Sequence, residues 1–491
     1  MVIPPSRVRQ SSAPPASQQE GPTARPSLLP LPIIAIVGLG FALVAYAYWP
    51  GVMTDDARWQ YQQAVDNSYE DWHPPLMAWV WHRLALLMPG PAPMLLLQLL
   101  LYWAGIALIA WWACRRGQRG LAVAIAGVGW LPAPLALSGA VLKDVLMAGC
   151  LLCATGLLLG RGLLRSDKFR AAITIASTLC LFAAAALRLN AVFACLPLLI
   201  AALPVPFTRT WPRVAASTLV GAAALLMTGP AVARLVQAED TKVDLSLKIF
   251  DLGGITEHSG VNQFPDFGVR DPVAVNHLCY DPNEWDSYST WAKKPCPLGF
   301  SRFDELVDEG DVSVTGLWLH AILSHPVAYA DHRLDHFNRS TWFLLPHGPA
   351  STAWSKSVPN PWGFRVRRDR VSALITGYAD GAAATPLGWP IFWISVTLAA
   401  LIVALSSPTP TAVRALAASA FLYGLSYLAV GVAVGMRYYF WTMIGGAMAV
   451  LVLATELRAQ GETPDRRVLV GAAAVVIVPT LLAVAARLTL P

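Results

Sequence analysis

The chain has 491 residues, 55% of them hydrophobic and only 13% charged, with a formal net charge of +6. Soluble globular chains carry about 25% charged residues, so this composition, with a mean hydropathy of +0.50, excludes an ordinary soluble domain and points to a membrane protein. The basic balance does not point to nucleic acid, because Lys and Arg sit in short clusters between apolar runs and form no basic face interleaved with aromatics.

In chain order, residues 1–30 are rich in Pro, Ser, Gln and Ala and read as a disordered cytoplasmic tail. The apolar run that follows is too long for a signal-peptide core and reads as a retained first span. A span needs about 20 largely apolar residues. Candidates fall near 31–49, 93–113, 121–138, 144–160, 171–187, 191–206, 214–235, 387–406, 412–433, 438–456 and 468–488, about eleven in all. Basic clusters orient them. Arg115, Arg116 and Arg119, then Arg161, Arg165, Lys168 and Arg170, then Arg209 and Arg213, then Arg414, then Arg458, Arg466 and Arg467 all fall on one side if the N-terminus is cytoplasmic.

The expected fold class is therefore an all-α polytopic membrane protein. An N-terminal transmembrane module covers 31–235 and includes a first outside loop, 50–92. An extracytoplasmic domain of mixed structure with a juxtamembrane helix covers 236–386, and a C-terminal transmembrane module covers 387–491. Cys114, Cys150, Cys153, Cys180 and Cys195 lie in or beside apolar runs and read as small buried hydrophobes. Cys279 and Cys296 lie in the outside segment, where a disulfide and two free thiols both remain open.

Chemistry-bearing residues gather on the outside. The first loop holds Thr54-Asp55-Asp56, Gln60 and Asp71-Trp72-His73-Pro74-Pro75. An Asp pair can deprotonate an acceptor hydroxyl, bind a divalent cation such as Mg or Mn with help from His73, or divide these tasks. A solvated loop or a helix N-cap would explain it as well. Lys143-Asp144 forms a corner between spans, and ionisable residues at membrane depth are costly enough to count as site candidates. Arg188 with Asn190, and Arg437 with Tyr438, stand at outer span ends against the charge bias. Arg makes forked, permanently charged contacts to phosphate, and with Lys143 these residues suit a lipid phosphate. Each alone could be a headgroup anchor. His325, Tyr329, His332, Arg333 and His336 mark a helix, and positions 325, 329, 332 and 336 share one face, which fits an amphipathic helix on the membrane surface. No Walker lysine loop, Rossmann glycine pattern or GxSxG elbow occurs.

This order of features resembles the GT-C-fold membrane glycosyltransferases, the group that includes bacterial relatives of protein mannosyltransferases and lipid A aminoarabinose transferases. The resemblance covers roughly 31–456: a span, an outside Asp pair, Gln60, the Asp71–Pro75 run, the Lys143-Asp144 corner, Arg188 with Asn190, the His325–His336 helix and Arg437-Tyr438. It implies a GT-C-like bundle with a cavity at the outer leaflet. It also implies a polyprenyl-phosphate sugar donor, a glycan, lipid or protein acceptor, and Asp55 or Asp56 as an inverting general base. Lys143, Arg188, Arg437 and Tyr438 would hold the donor phosphate, in a bacterial cytoplasmic membrane with the site facing outward. Asp-Asp stands where many members have Asp-Glu, which puts metal use in question. A polysaccharide polymerase or ligase with a diphosphate-linked donor would share the arrangement. A transporter or flippase would instead call for mid-span charges and internal repeats.

Overall fold

The computed structural model describes residues 30–204, 207, 209–310, 313–349, 351–367 and 369–490. The N-terminal tail expected over 1–30 lies outside them except for Pro30.

The transmembrane module opens with α1 (Leu31–Ala47), followed by two short helices of the first loop, α2 (Asp55–Asp66) and α3 (Leu76–Ala85). Then come α4 (Ala92–Arg115), α5 (Arg119–Gly127), α6 (Pro132–Leu137), α7 (Lys143–Arg161), α8 (Asp167–Ala185), α9 (Val192–Ala202), α10 (Trp211–Leu226) and α11 (Thr228–Leu235). The insertion carries α12 (Asp244–Ser259), α13 (Pro272–Cys279), α14 (Phe300–Glu309), α15 (Val314–Ser324), α16 (Pro326–Thr341) and α17 (Arg370–Ala383). The chain closes with α18 (Pro390–Leu405), α19 (Thr411–Val430), α20 (Phe440–Gln460) and α21 (Arg466–Thr489). The all-helical expectation is borne out, and the protein is a multi-pass membrane protein. Among the described residues β pairing is limited to isolated bridges, so the insertion expected to be mixed is helical as well.

Among the described residues, seven helical segments are long and apolar enough to cross a membrane: Ala92–Arg115, Lys143–Arg161, Asp167–Ala185, Trp211–Leu235, Thr411–Val430, Met436–Gln460 and Arg466–Thr489. The first, sixth and eighth expected spans are apolar helices of 17, 11 and 16 residues. The expected third span, 121–138, is not one helix. Pro132 and Pro134 follow α5, and Leu131, just before a proline, takes an extended ψ of 139°. The chain then runs on through α6 into a non-helical stretch that hydrogen-bonds to the first loop, with Val52 N donating to Gly139 O (3.1 Å) and Val141 N to Val52 O (3.0 Å).

Helix α7 is the centre of the bundle, with 89% of its apolar window buried, whereas Trp211–Leu235 is 6% buried and lies at the periphery. Helices α4 and α7 run parallel with their backbones in close approach, as small residues permit in membranes. A Cβ at Gly105 would meet the Cys153 backbone nitrogen at 2.7 Å, and one at Gly149 would meet the Tyr102 nitrogen at 3.0 Å. This seam fixes the height of Lys143, the first residue of α7. At the far end of the bundle Arg116 donates to the buried carboxylate of Glu456 (2.6 Å), tying α4 to α20. The basic clusters and the cations Lys143, Arg188 and Arg437 thus sit at opposite ends of the bundle. The insertion has its own apolar core, around Ile249, Phe250, Leu252, Ile255, Leu298 and Phe303.

A Gly105→Val substitution places a branched side chain against the α7 backbone and is expected to cost roughly 1–3 kcal/mol or more. Thermal unfolding in detergent checks this, and an unchanged midpoint would show that the seam can relax.

Candidate active site

The site is built from four separate stretches of chain. Thr54 caps α2, its Oγ1 accepting from Ala57 N at 3.2 Å, so Asp55 and Asp56 both fall in the first turn, where carboxylates are favoured. Their directions differ. Asp55 points outward with 76% of its side chain exposed and meets Arg58 at 3.6 Å, the behaviour of a solvated helix start. Asp56 turns inward. Its Oδ2 accepts from Arg437 Nη1 at 2.7 Å and lies 3.8 Å from Lys143 Nζ, while His73 Nε2 lies 3.8 Å from Oδ1.

His73 Nδ1 is 2.6 Å from Lys143 Nζ. An ammonium has only protons to give, so this ring nitrogen accepts, and the imidazole is neutral with its proton on Nε2, toward Asp56. Burial, and then Lys143, hold the His73 imidazole down at about 3. Burial by itself would raise the Asp56 carboxyl, but Arg437, His73 and Lys143 together outweigh it and keep the group far below the usual carboxylate range.

Behind this cluster lies a second. Asp144 is fully buried and accepts from Arg188 Nη1. The guanidinium of Arg188 also stacks over Tyr438, 5.0 Å from the ring centroid, and Arg437 approaches the same ring at 5.0 Å and Trp354 at 5.6 Å. Arg437 Nη2 donates to Tyr438 Oη at 3.2 Å. Asn190 donates to Ser426 Oγ at 3.3 Å and steadies the Arg188 corner against α19. Asp56, His73, Lys143, Asp144, Arg188, Asn190, Arg437 and Tyr438 thus converge from positions spread over most of the chain. With His73 neutral, the ion-paired groups of this cluster are three cations and two carboxylates.

Other sequence candidates lie elsewhere. Gln60 is buried, its Nε2 donating to the Asp56 carbonyl at 3.3 Å, and braces α2. Asp71 ties the first loop to the insertion, its Oδ1 accepting from Thr241 N at 2.8 Å and Thr241 Oγ1 at 2.7 Å. His325 forms the turn between α15 and α16. The face expected to lie on a membrane surface is instead packed inside the insertion. His332 and His336 are fully buried, and a Cβ on Gly254 would meet the His332 ring at 2.1 Å. Arg333 is buried there too. Its Nη2 is 2.5 Å from Asp251 Oδ1, and its Nη1 donates to Gly431 O at 2.6 Å. With Trp285 N donating to Val432 O at 2.8 Å, this bolts the insertion onto the turn that carries Arg437.

The donor set does not fit a divalent cation. Among the described residues no group of three His, Cys, Asp or Glu side chains converges. Asp55 faces away, and Arg437 and Lys143 already stand on Asp56 Oδ2, with the His73 ring beside Oδ1.

Sequence reasoning missed Gln98, buried in α4, which donates to the carbonyls of Ser138 (2.8 Å) and Ala140 (2.7 Å) and accepts from Leu142 N (3.2 Å). It holds the stretch leading into Lys143, and a polar residue within a span was the available signal. Trp354 and Asp286, from the insertion, were also missed. No composition or spacing signal marks either.

No protein-family model and no curated protein matches the chain. Among solved structures it is similar to ArnT from Cupriavidus metallidurans bound to undecaprenyl phosphate, at 17% identity over 87% of this chain and 77% of that one, with a TM-score of 0.33. It is also similar to the archaeal oligosaccharyltransferase AglB from Archaeoglobus fulgidus in complex with an inhibitory peptide and a dolichol-phosphate, at 12% identity over 93% of this chain and 56% of that one, with a TM-score of 0.37. A third is the Archaeoglobus fulgidus oligosaccharyltransferase tethered with an acceptor peptide, at 10% identity over 93% of this chain and 55% of that one, with a TM-score of 0.36. The chain spans little more than half the length of the two archaeal proteins.

Burial also lowers His332, and lowers His336 to about 4. In an unfolded chain these imidazoles take up protons near pH 6.5. Below that pH the unfolded state therefore binds more protons than the folded one, and stability falls as pH falls. The depressed carboxyls of Asp56 and Asp251 act in the same direction, but at lower pH. The thermal midpoint is expected to drop between pH 6.5 and 4.5, and a flat profile across that window would contradict the neutral, buried imidazoles.

Proposed function

We propose that the protein is a membrane glycosyltransferase. It moves a sugar from a polyprenyl-phosphate carrier to an acceptor hydroxyl at the outer face of a bacterial cytoplasmic membrane, with inversion. The observation that carries the reading is the cluster around Asp56, where one inward carboxylate shares Arg437 and Lys143 at one end of the bundle.

A polyprenyl-phosphate sugar is a phosphodiester with one negative charge. When the bond from the anomeric carbon to the phosphate oxygen breaks, the leaving phosphate gains a second charge. Preset cations at that oxygen stabilise the transition state. Arg437 and Lys143 supply them, with Arg188 behind. Asp56 accepts the proton of the attacking hydroxyl. In the resting site its three neighbours make it a weak base. A phosphate that draws Arg437 and Lys143 toward itself loosens that hold, so the carboxylate becomes more basic when the donor is in place. One base and a leaving group that needs no proton suit a single displacement, which inverts the anomeric centre.

Transport is disfavoured because the ionisable side chains of the cluster stand at helix ends rather than along a path through the bundle. The cations on Asp56 support phosphate handling without a divalent metal.

The test is transfer in nanodiscs from synthetic polyprenyl-phosphate sugars. Asp56→Asn is expected to lower turnover by roughly 10²–10⁴-fold, Asp55→Asn to keep it, and a chelator to leave it unchanged. The reading fails if Asp55→Asn is the inactive variant, or if a broad donor panel gives no turnover with wild type.

A further inference from the structure

One wall of the site comes from the insertion and takes no part in holding the phosphate. Cys279 and Cys296 are joined by a disulfide that closes the loop 280–295. Trp285, buried to 4% exposure, anchors this loop. Its N–H donates to Val432 O, and the neighbouring Glu284 forms a bridge to Ala433, both on the turn that leads to Arg437. Trp72, next to His73, packs on the same loop from the other side, with ring centroids 5.6 Å from Trp285, 5.2 Å from Trp291 and 5.7 Å from Phe300. The loop is therefore fixed at both flanks to residues adjoining the Asp56 cluster.

Two side chains of this loop are otherwise unaccounted for. Trp291 keeps 54% of its surface open, although Trp72 and Trp285 hold its ring at 90° and 89°. A large apolar ring that is both rigid and open is a preformed contact surface. Asp286 follows Trp285 and, unlike Asp56 and Asp144, forms no salt bridge among the described residues. Burial raises its carboxyl. The Asp56 charge adds to that, and the Trp291 indole and the Arg437 charge pull the other way. Asp286 thus sits on the docked loop one residue after the Trp285 anchor, and the open Trp291 ring packs against that anchor with centroids 5.4 Å apart.

We propose that Trp291 and Asp286 form an acceptor subsite for a carbohydrate, so that the acceptor is a glycan or glycolipid sugar rather than a peptide or a simple lipid. A pyranose has one face of C–H groups and a rim of hydroxyls. The indole takes the face by stacking, and the carboxylate takes rim hydroxyls in charge-assisted hydrogen bonds. A peptide or an acyl chain offers no such pairing of apolar face and adjacent hydroxyls. The acceptor hydroxyl that reacts is then delivered to Asp56, with its ring held by the insertion loop. The assignment rests on the glycosyltransferase reading for its chemistry, but not for the existence of the subsite.

Two readouts separate these claims. In nanodiscs, saturation-transfer NMR with methyl glycosides and short oligosaccharides is expected to show binding to the wild type that Trp291→Ala and Asp286→Asn each abolish. Binding of polyprenyl phosphate to the same variants should be unchanged, which also shows that they fold. In the transfer assay with a sugar acceptor, each variant is expected to raise the acceptor KM roughly tenfold and leave the donor KM unaltered. The proposal is overturned if no glycoside binds, if binding survives both substitutions, or if peptides serve as acceptors equally well in wild type and variants. If wild type transfers nothing but glycoside binding depends on Trp291 and Asp286, the subsite stands and the glycosyltransferase reading falls.

Discussion

Asp56 and Arg437 are 381 positions apart, and the bond between them closes the molecule at one end of the bundle. It requires α2 to begin at the right place on the first loop, the turn after α19 to stand at the right height, and Lys143 to arrive beside both from the head of α7. Each requirement has its own support. Thr54 starts α2. Gln98 satisfies the non-helical stretch ahead of Lys143, and the glycine seam between α4 and α7 sets its depth. Arg333 and Trp285 hold the turn after α19. Desolvated charges are costly singly, so a cluster of five at a bundle end persists only where packing leaves each little choice of partner.

The insertion is part of this machine rather than an appendage. Its buried Asp251–Arg333 pair does two jobs with one guanidinium, neutralising a carboxylate inside its own core and bonding to Gly431 in the transmembrane module. Removing one partner of such a pair costs roughly 3–5 kcal/mol, so the insertion's internal stability and the placing of Arg437 are coupled. The disulfide-closed loop uses the same docking to bring Trp291 and Asp286 to the rim. In the proposed reaction, phosphate chemistry falls to the transmembrane helices and acceptor contact to the insertion, and the two meet at Asp56.

Much of this was legible in the sequence, for identifiable reasons. Apolar runs reveal the spans, and the one-sided Arg clusters gather at one end of the bundle, because lipid constrains both. Outer-end Arg188, Arg437 and Lys143 stand out for the same reason: they oppose the bias. The limits were just as physical. Asp55 and Asp56 are adjacent and identical in type, and only the rotation of α2 separates a solvated carboxylate from one held by three partners. The third apolar run hid a break, since hydropathy does not register that Pro132 and Pro134 leave the backbone without helical bonds. His332 and His336 share a helical face, but periodicity does not say whether such a face meets lipid or a buried Asp251. Asp286 and Trp291 carry no local signature, because their position depends on a loop docked against residues more than 200 positions earlier.

The central claim is that the cations on Asp56 are there for a lipid phosphate. Cryo-electron microscopy of the protein in nanodiscs with polyprenyl phosphate tests it most directly. The account predicts phosphate density within ion-pair distance of Arg437 and Lys143, with Arg437 drawn away from Asp56. Density at another cluster of the bundle, or a ligand-bound site in which Arg437 and Lys143 keep their contacts to Asp56 unchanged, would contradict it.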